Sequence, residues 1–251
     1  MEARPPIPED IKRQVRQEAK FGCIFCGSPI IEYHHIEPYH KVKCHEKDNL
    51  ALLCPEHHHR ANCGEIFKEK VLIAKKNPFN SSVNYIRKEF CLNKYENLKF
   101  SLGGGISFMR CPIILQIDEH PIISVRADEN GYALFSAKFY DYNNVLLAEV
   151  IDNEWVAYLD KEFWDIQYSP GKLKINNGKN KIFLEFKIKD DSFKIRSEIY
   201  YNGYKVSFLP SKTIIGGNEF IGNMIMNGEV GVSISTLNNN VINNHLEIRE
   251  I

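Results

Sequence analysis

Apolar residues in the first part of the chain recur with the spacing of amphipathic helices. Ile11, Val15 and Ala19 follow one another at four-residue intervals, and acidic residues open the stretch. This pattern predicts a helix over Glu9–Lys20. A second helix is predicted over Glu65–Lys76, because Ile66, Val71 and Ile73 would lie on or near one of its faces.

Two stretches without a clear period follow. Asn77–Ser82 is rich in Asn and Ser and contains a proline, which predicts a linker. Val83–Leu98 is ambiguous, and one more helix that connects two domains is the interpretation carried forward.

From about Lys99 the pattern changes to short runs of β-branched and aromatic residues, which predicts strands. The predicted strands are Ile113–Ile117, Ile122–Arg126, Ala133–Tyr140, Val145–Ile151, Lys172–Ile175, Lys181–Ile188, Phe193–Tyr201 and Val230–Ser235. Dipeptides of the hairpin type occur at Asn130-Gly131, Asn177-Gly178, Asn202-Gly203 and Asn227-Gly228. This pattern predicts a sandwich or a barrel. A short β-solenoid is the alternative, because Leu102–Phe108 faintly echoes Ile215–Phe220, although no period is sustained over three repeats.

Together these patterns predict an α+β chain of two domains. A small domain is expected over residues 1–80, a connector over 81–100 and an all-β domain over 101–251. The β domain contains no catalytic motif that we recognise. We therefore expect it to serve regulation, partner binding or self-association, as a homodimer or through an unidentified activator or ligand.

Composition places the chain among globular proteins, with 43% hydrophobic and 12% aromatic residues. No apolar run approaches about 20 residues, so no membrane span is expected. The N-terminal residues Met1–Pro6 are polar and proline-rich, unlike a signal peptide, and the number of cysteines, seven, is odd. These features predict a cytoplasmic protein with free thiols.

Cysteines and histidines concentrate in one segment, with seven of the nine histidines between residues 34 and 59. Cys23-x-x-Cys26 and Cys54-x-x-His57 have the paired spacing of a tetrahedral structural zinc site. His59 is the rival of His57 for the fourth position. The segment is too short to bury a core of its own, so zinc is expected to replace one.

A second, open metal site is predicted beside the first. His34 and His35 are adjacent in a β-like run, so their side chains point to opposite faces of the strand. One of them can bind a metal ion while the other faces the reacting group. His58 follows His57 on a helix that Pro55 can open, and it can turn toward that strand.

The combined pattern resembles the HNH endonucleases, the ββα-metal nuclease family, in their zinc-stapled form. The resemblance rests on Phe21–Gly27, on His34-His35-Ile36 with Pro38, on Asn49–Cys54 and on His57-His58, and it extends over about residues 4–78. It implies a ββα-metal fold for the N-terminal domain. It also implies a metal-dependent DNA endonuclease, with restriction or antiviral (antiphage) defence in bacteria as a setting.

The resemblance also implies roles for individual residues. His35 matches the general base that activates water, and Asn49 matches the asparagine that orients it. His58 matches a ligand of the catalytic divalent ion, and His34 stands where relatives often have aspartate, the other ligand. That histidine removes a negative charge, so the metal preference can shift from Mg²⁺ toward Mn²⁺, Ni²⁺ or Zn²⁺.

Net charge is zero, but it is unevenly distributed. Residues 1–100 hold 17 Lys/Arg and 13 Asp/Glu, which is +4, whereas residues 101–251 hold 15 and 19, which is −4. The basic excess accompanies the nuclease motif and favours modest, salt-sensitive contact with DNA phosphates. The candidates for this contact are Arg13, Arg16, Lys20, Lys41, Lys43 and Arg60. The alternative function is a non-catalytic zinc module that binds nucleic acid or protein.

Overall fold

The computed structural model describes residues 5–236, and the ends of the two predicted domains, 1–4 and 237–251, lie outside the described residues. The described chain is mixed α+β and is dominated by strands. It divides into two compact units. The first comprises the residues up to Lys88 together with Tyr158–Pro170 and Asn176–Lys179, and the second comprises Glu89–Ala157, Gly171–Ile175 and the residues from Asn180 onward.

The elements up to residue 89 alternate short helices with short strands. They are α1 (Glu9–Glu18), β1 (Glu32–His35), α2 (Tyr39–Val42), a 3-10 helix (Lys47–Asn49), β2 (Leu50–Leu53), α3 (Pro55–Asn62), α4 (Lys68–Lys76), α5 (Asn80–Val83) and β3 (Tyr85–Glu89). The predicted N-terminal helix is confirmed as α1, with Val15 and Ala19 buried. The second predicted helix is confirmed as α4, although it begins at Lys68.

The first unit has a hydrophobic core of its own. Buried residues from α1, β2 and α4 pack together with the first and third cysteines of the predicted zinc site. They are Val15, Ala19, Cys23, Ile24, Ile36, Leu50, Ala51, Leu52, Leu53, Cys54, Ile66 and Val71. The expectation that zinc replaces a core was therefore wrong, because helices that flank the cysteine segment supply the missing apolar surface.

Two further expectations for this region were wrong. Within Val83–Leu98 only Val83, the last residue of α5, is helical, and Tyr85–Glu89 forms the strand β3. The predicted linker Asn77–Ser82 lies inside the first unit, where Asn80 begins α5 and is buried. Side-chain polarity and the proline at position 78 indicated a linker, but the asparagine makes tertiary hydrogen bonds that composition does not reveal.

Strands β1 and β2 form an antiparallel pair that carries the histidines. His34 lies opposite Ala51, and His35 lies opposite Leu50. All four residues of β2 are buried, which anchors the pair in the core. The helix α3 follows β2 after one residue, Cys54. The order of these elements is strand, strand, helix.

The rest of the described chain is β-structure. Its strands are β4 (Lys99–Leu102), β5 (Ile106–Met109), β6 (Ile113–Ile117), β7 (His120–Ala127), β8 (Ala133–Tyr140), β9 (Leu146–Ile151), β10 (Glu154–Tyr158), β11 (Asp165–Ser169), β12 (Lys172–Gly178), β13 (Lys181–Lys189), β14 (Ser192–Tyr201), β15 (Tyr204–Phe208), β16 (Thr213–Ile215), β17 (Asn218–Phe220), β18 (Asn223–Met226) and β19 (Val230–Ile234). Every strand predicted from the sequence is present. The expected β-rich C-terminal part is confirmed.

Two sheets build the second unit. One has the order β19-β6-β7-β8-β9-β10, and the other has the order β13-β14-β15-β16-β17, with β4 beside β14 and β5 beside β4. An aromatic cluster joins the two sheets. The ring of Phe135 on β8 lies 4.7 Å from that of Phe193 on β14 and 5.8 Å from that of Phe100 on β4. The two sheets thus form layers around a shared aromatic core.

Turns explain the sequence echo that suggested a solenoid. Its two copies span the antiparallel hairpins β4–β5 and β16–β17, so they are equivalent turns. Asn202-Gly203, with φ of 48° and 78°, joins β14 to β15 as predicted. Asn227-Gly228 is no hairpin, because β18 pairs with β5 and β19 pairs with β6 in the other sheet.

Candidate functional site

Cys23, Cys26, Cys54 and His57 come together as a candidate metal centre. Their ligand atoms all lie within 4.8 Å of one another. The Cys26 and Cys54 sulfurs are 3.8 Å apart, and His57 Nδ1 lies 3.7 Å from Cys23 Sγ and 3.0 Å from Cys54 Sγ. Two sulfurs held at about 2.3 Å from a tetrahedral zinc are about 3.8 Å apart. The set therefore fits a structural zinc ion in ligand type and spacing.

Local backbone structure brings the first two sulfurs together. The Gly27 N–H donates to the Cys23 carbonyl at 2.8 Å, and the Cys23 N–H donates to the Ser28 carbonyl at 2.8 Å. Gly27 has φ of +74°, which glycine adopts without steric cost. The resulting tight turn points Cys23 and Cys26 into the same space.

The second ligand pair depends on the start of α3. Cys54 is the residue before the helix, and Pro55 occupies its first position. From the first turn of that helix, His57 reaches back to the cysteines. His59, its rival in the sequence, lies 3.6 Å from the exposed Cys63 and is outside the cluster. The two-residue spacing in the sequence and the geometry of the cluster thus point to the same histidine, His57.

Asn80 supports this centre, and sequence reasoning missed it. Its side chain is buried, and its Nδ2 donates to the carbonyls of Lys20 at 3.0 Å and of Gly27 at 3.4 Å. These bonds fix the backbone on both sides of the first cysteine pair. No local signal identifies this asparagine, since it is 53 residues from Gly27 in the sequence.

The thiols of the centre differ in acidity. A hydrogen bond from Cys26 lowers the pKa of Cys23, and the same bond raises the pKa of Cys26. Burial raises the pKa of Cys54. One thiol thus ionises more readily than the others, and metal binding displaces the remaining protons.

A cleft of about 400 Å³ lies beside the metal centre, and three histidines line it. They are His34, His35 and His58. The rings of His34 and His58 meet edge to face, with centroids 5.2 Å apart. The two adjacent histidines on α3 therefore point in different directions. His57 contacts the cysteines, while His58 contacts His34 on β1.

His34 is kept neutral. It is 8% exposed, and burial, followed by the nearby His58, lowers its pKa to about 4. At neutral pH its ring carries a lone pair, as a metal-ligating imidazole must.

Glu32 holds His58, and sequence reasoning missed this contact as well. The Glu32 carboxylate accepts a hydrogen bond from His58 Nδ1. A carboxylate on one ring nitrogen leaves the other nitrogen for a metal ion and fixes the ring orientation. A signal was present, because Glu32 and His34 are two residues apart on a strand and so share a face.

Asn49 organises the loop that follows His35. Its Oδ1 accepts from the Glu37 N–H at 2.7 Å, its Nδ2 donates to the Glu37 carbonyl at 2.9 Å, and its own carbonyl accepts from the Ile36 N–H at 3.0 Å. These three bonds fix the backbone next to His35. Asn49 thereby constrains the histidine through the chain.

His35, which also lines the cleft, belongs to an aromatic group with Tyr39 and His45. Its Nε2 lies 3.1 Å from His45 Nδ1, and the Tyr39 ring stacks on His45 with centroids 4.8 Å apart. His35 itself is 9% exposed. His45 was not singled out in the sequence, because a loop histidine ten residues away has no fixed spacing relative to a strand.

The predicted phosphate-binding residues have different surroundings. Arg60 is ion-paired with Glu65 at 2.6 Å and with Glu56 at 3.7 Å, so much of its charge is compensated. Lys41 and Lys43, on α2 and at its end, are exposed. Arg16 is 5% exposed, so its expected phosphate contact was wrong.

An ion pair between Lys68 and Glu37 lies at the cleft. Lys68 lines the cleft, and the pair lowers the pKa of Glu37. The positive charge of Lys68 is therefore partly compensated by Glu37.

In residues 5–236 no helix is long and apolar enough to cross a membrane. Comparison of the whole chain with protein-family models, with the curated proteins and with the solved structures finds no match.

Proposed function

We propose that this protein is a metal-dependent DNA endonuclease of the HNH type, whose N-terminal unit hydrolyses phosphodiester bonds. The observation that carries the proposal is the convergence of His34, His35 and His58 on one cleft next to the Cys3His centre. A zinc module that only binds needs the four ligands of that centre. It does not need the three histidines around the cleft: His34, which is buried and neutral, His58, whose ring Glu32 orients, and His35, whose backbone Asn49 fixes.

His35 acts as the general base. It removes a proton from a water molecule in the cleft, and the resulting hydroxide attacks the phosphorus atom. The bond from phosphorus to the leaving oxygen then breaks, and that oxygen is protonated by solvent. Asn49 keeps His35 in place through the loop bonds to Glu37.

His34 and His58 would hold the catalytic divalent ion, Mg²⁺ or Mn²⁺, with Ni²⁺ as a further candidate. When bound, such an ion supplies positive charge that stabilises the extra negative charge on the phosphate. Two imidazoles favour borderline ions over Mg²⁺, so we expect Mn²⁺ or Ni²⁺ to support higher activity. The Cys3His centre takes a structural zinc that keeps α3, and with it His58, in place.

The β-rich second unit serves the nuclease indirectly, as a surface for an activator, a ligand or a second copy. Within residues 5–236, the one cluster of three or more metal-ligand side chains is Cys23, Cys26, Cys54 and His57, and all four belong to the first unit. The net charge of −4 over residues 101–251 does not favour an extended DNA contact there. Restriction or antiphage defence is the setting that the resemblance suggests.

The test is cleavage of supercoiled plasmid by the full-length protein. Wild type, His35→Ala, His58→Ala and the control His40→Ala are incubated with EDTA, Mg²⁺, Mn²⁺ or Ni²⁺ at low and moderate salt. His40 is exposed on α2 and does not line the cleft, so its loss controls for general effects of removing a histidine. We expect metal-dependent nicking or linearisation that His40→Ala retains and the other two variants lose.

Equal cleavage by wild type and His35→Ala would remove His35 from the mechanism. An absence of cleavage in every metal, with one zinc still bound per chain, would favour the non-catalytic zinc module. Addition of cell extract from infected bacteria then separates a module that never cleaves from a nuclease that awaits an activator.

A further inference from the structure

We propose that His45 is a positioning residue that fixes which ring nitrogen of His35 carries the hydrogen. The inference rests on the proposed role of His35 as the base, but its central claim concerns ring chemistry that can be measured without activity. Nothing in the HNH-like pattern assigns a role to position 45.

A chain of three groups carries the argument. His35 Nε2 lies 3.1 Å from His45 Nδ1, and His45 Nε2 lies 2.9 Å from the carbonyl oxygen of Pro5. Both distances are those of hydrogen bonds. The Tyr39 ring is stacked on His45 at an interplanar angle of 22°, which limits rotation of the imidazole.

The direction of each hydrogen bond follows from the last of these three groups, the Pro5 carbonyl. A carbonyl oxygen only accepts, so His45 Nε2 carries a hydrogen. A neutral imidazole has one N–H, and His45 Nδ1 is therefore an acceptor. His35 Nε2 must then be the donor, and in neutral His35 the lone pair is on Nδ1.

This arrangement determines how His35 can act. Nδ1 is the nitrogen that accepts the proton of water, because Nε2 already carries a hydrogen that points at His45. When His35 becomes an imidazolium, His45 still accepts from Nε2 and stabilises the added charge. In serine proteases a partner that holds a catalytic histidine in one tautomer contributes about 10⁴ to kcat. A neutral acceptor is weaker than that carboxylate, so we expect roughly 10- to 100-fold here.

Two substitutions separate the hydrogen bond from packing. His45→Phe keeps a flat ring on Tyr39 but has no acceptor. His45→Asn loses the stacking ring but places its amide oxygen where Nδ1 of the histidine stands, so it can still accept from His35 Nε2. A merely structural role for His45 predicts that the phenylalanine is the milder change, whereas the proposed role predicts the opposite.

The decisive measurement is the tautomer of His35 in the full-length, zinc-loaded protein. Long-range ¹H–¹⁵N spectra of ¹⁵N-histidine-labelled protein, recorded at alkaline pH without added divalent ion, identify the protonated nitrogen of each neutral ring. His35→Ala assigns the His35 signals. We expect the Nε2–H form in wild type and in His45→Asn, and a shift toward Nδ1–H in His45→Phe.

An Nδ1–H tautomer in wild type would overturn the inference, and so would a His45→Phe spectrum identical to that of wild type. If His45→Phe does not fold, the wild-type and His45→Asn spectra decide the question. Steady-state cleavage adds a second readout: His45→Phe should lower kcat 10- to 100-fold with little change in KM, and His45→Asn should recover most of it. If wild type cleaves no DNA either alone or with the cell extract, the proposed function fails, while the spectra still decide the role of His45.

Discussion

Arg16 and Asp165 form a buried ion pair with two hydrogen bonds across 149 residues of sequence, from Nε to Oδ1 at 2.8 Å and from Nη2 to Oδ2 at 2.7 Å. Their side chains are 6% and 3% exposed. Arg16 also donates to the hydroxyl of Tyr33 on β1, at 2.5 Å. The pair thus fastens α1 both to β11 and to the strand that carries His34 and His35.

Asp165→Asn should destabilise the protein strongly, because it leaves the Arg16 charge buried and poorly compensated. Loss of one partner of a buried ion pair typically costs about 3–5 kcal/mol. Urea unfolding measures the difference. Asp160→Asn, in the same segment but 54% exposed and paired with Lys161, should change stability by less than about 0.5 kcal/mol.

The double variant Arg16→Met/Asp165→Leu tests whether the uncompensated charge of Arg16 causes the loss of stability in Asp165→Asn. Removal of both charges leaves no buried ion, so the double variant should be more stable than Asp165→Asn alone. Equal or greater loss in the double variant would show that packing, and not the uncompensated charge, accounts for the single-variant effect.

Cys54→Ser should abolish binding of the structural zinc. Wild type is expected to contain one tightly bound zinc per chain, measured by elemental analysis after dialysis against a weak chelator. A serine hydroxyl does not replace a thiolate at such a site, and the binding free energy of the metal contributes to folding. Thermal unfolding should therefore shift to a much lower temperature.

Cys91→Ser provides the matched control for the zinc experiment. Cys91 is exposed and is outside the metal cluster. It should retain one zinc per chain and the wild-type unfolding temperature. Retention of zinc by Cys54→Ser would contradict the assignment of this cysteine.

Glu32→Gln should weaken binding of the catalytic ion without loss of zinc. The Glu32 carboxylate orients His58, and loss of such a partner typically lowers metal affinity 10- to 100-fold. Titration with Mn²⁺, followed by electron paramagnetic resonance, measures the affinity. Glu56→Gln is the control, because Glu56 is 75% exposed and pairs with Arg60 instead. Equal Mn²⁺ affinity in the two variants would show that Glu32 does not contribute to metal binding.

The turn that carries Cys23 and Cys26, called the zinc turn from here on because of its predicted ligands, contains Gly27. Gly27→Ala should lower the free energy of unfolding by more than the backbone conformation of this residue alone explains. A Cβ at this position would lie 2.3 Å from Asn80 Oδ1 and 2.7 Å from Phe79 Cδ1. Gly64 has nearly the same φ, +77° against +74°, but nothing lies within 4 Å of its Cβ position. Gly64→Ala therefore isolates the backbone term, about 1–2 kcal/mol.

The excess destabilisation of Gly27→Ala over Gly64→Ala reports the clash with Asn80. We expect an excess of roughly 1–3 kcal/mol, the range for overpacking at a tight site, together with weaker zinc retention. Urea unfolding of both variants gives the difference. If the two variants lose equal stability, Asn80 does not brace the turn.

Local patterns were sufficient for much of the fold. The helix α1 and all eight predicted strands are present. They could be predicted because the periodicity of apolar side chains indicates which face of an element is buried. The failures have local causes too. Val83–Leu98 has no period long enough to distinguish a helix from a strand, and Asn227-Gly228 has hairpin composition while its flanking strands pair elsewhere.

By itself the sequence determined the candidate metal centre. Within each x-x-spaced pair, local backbone structure brings the two ligands together, so the fold has only to place one pair beside the other. It likewise indicated His34, His35 and His58, whose positions on one strand and one helix follow from local geometry. Tertiary structure alone decided the partners of these groups: Asp165 for Arg16, Asn80 for the zinc turn, and His45 with the Pro5 carbonyl for His35. Such partners come from loops and distant strands, where no periodicity relates the residues, so their contacts exist only once the chain has folded.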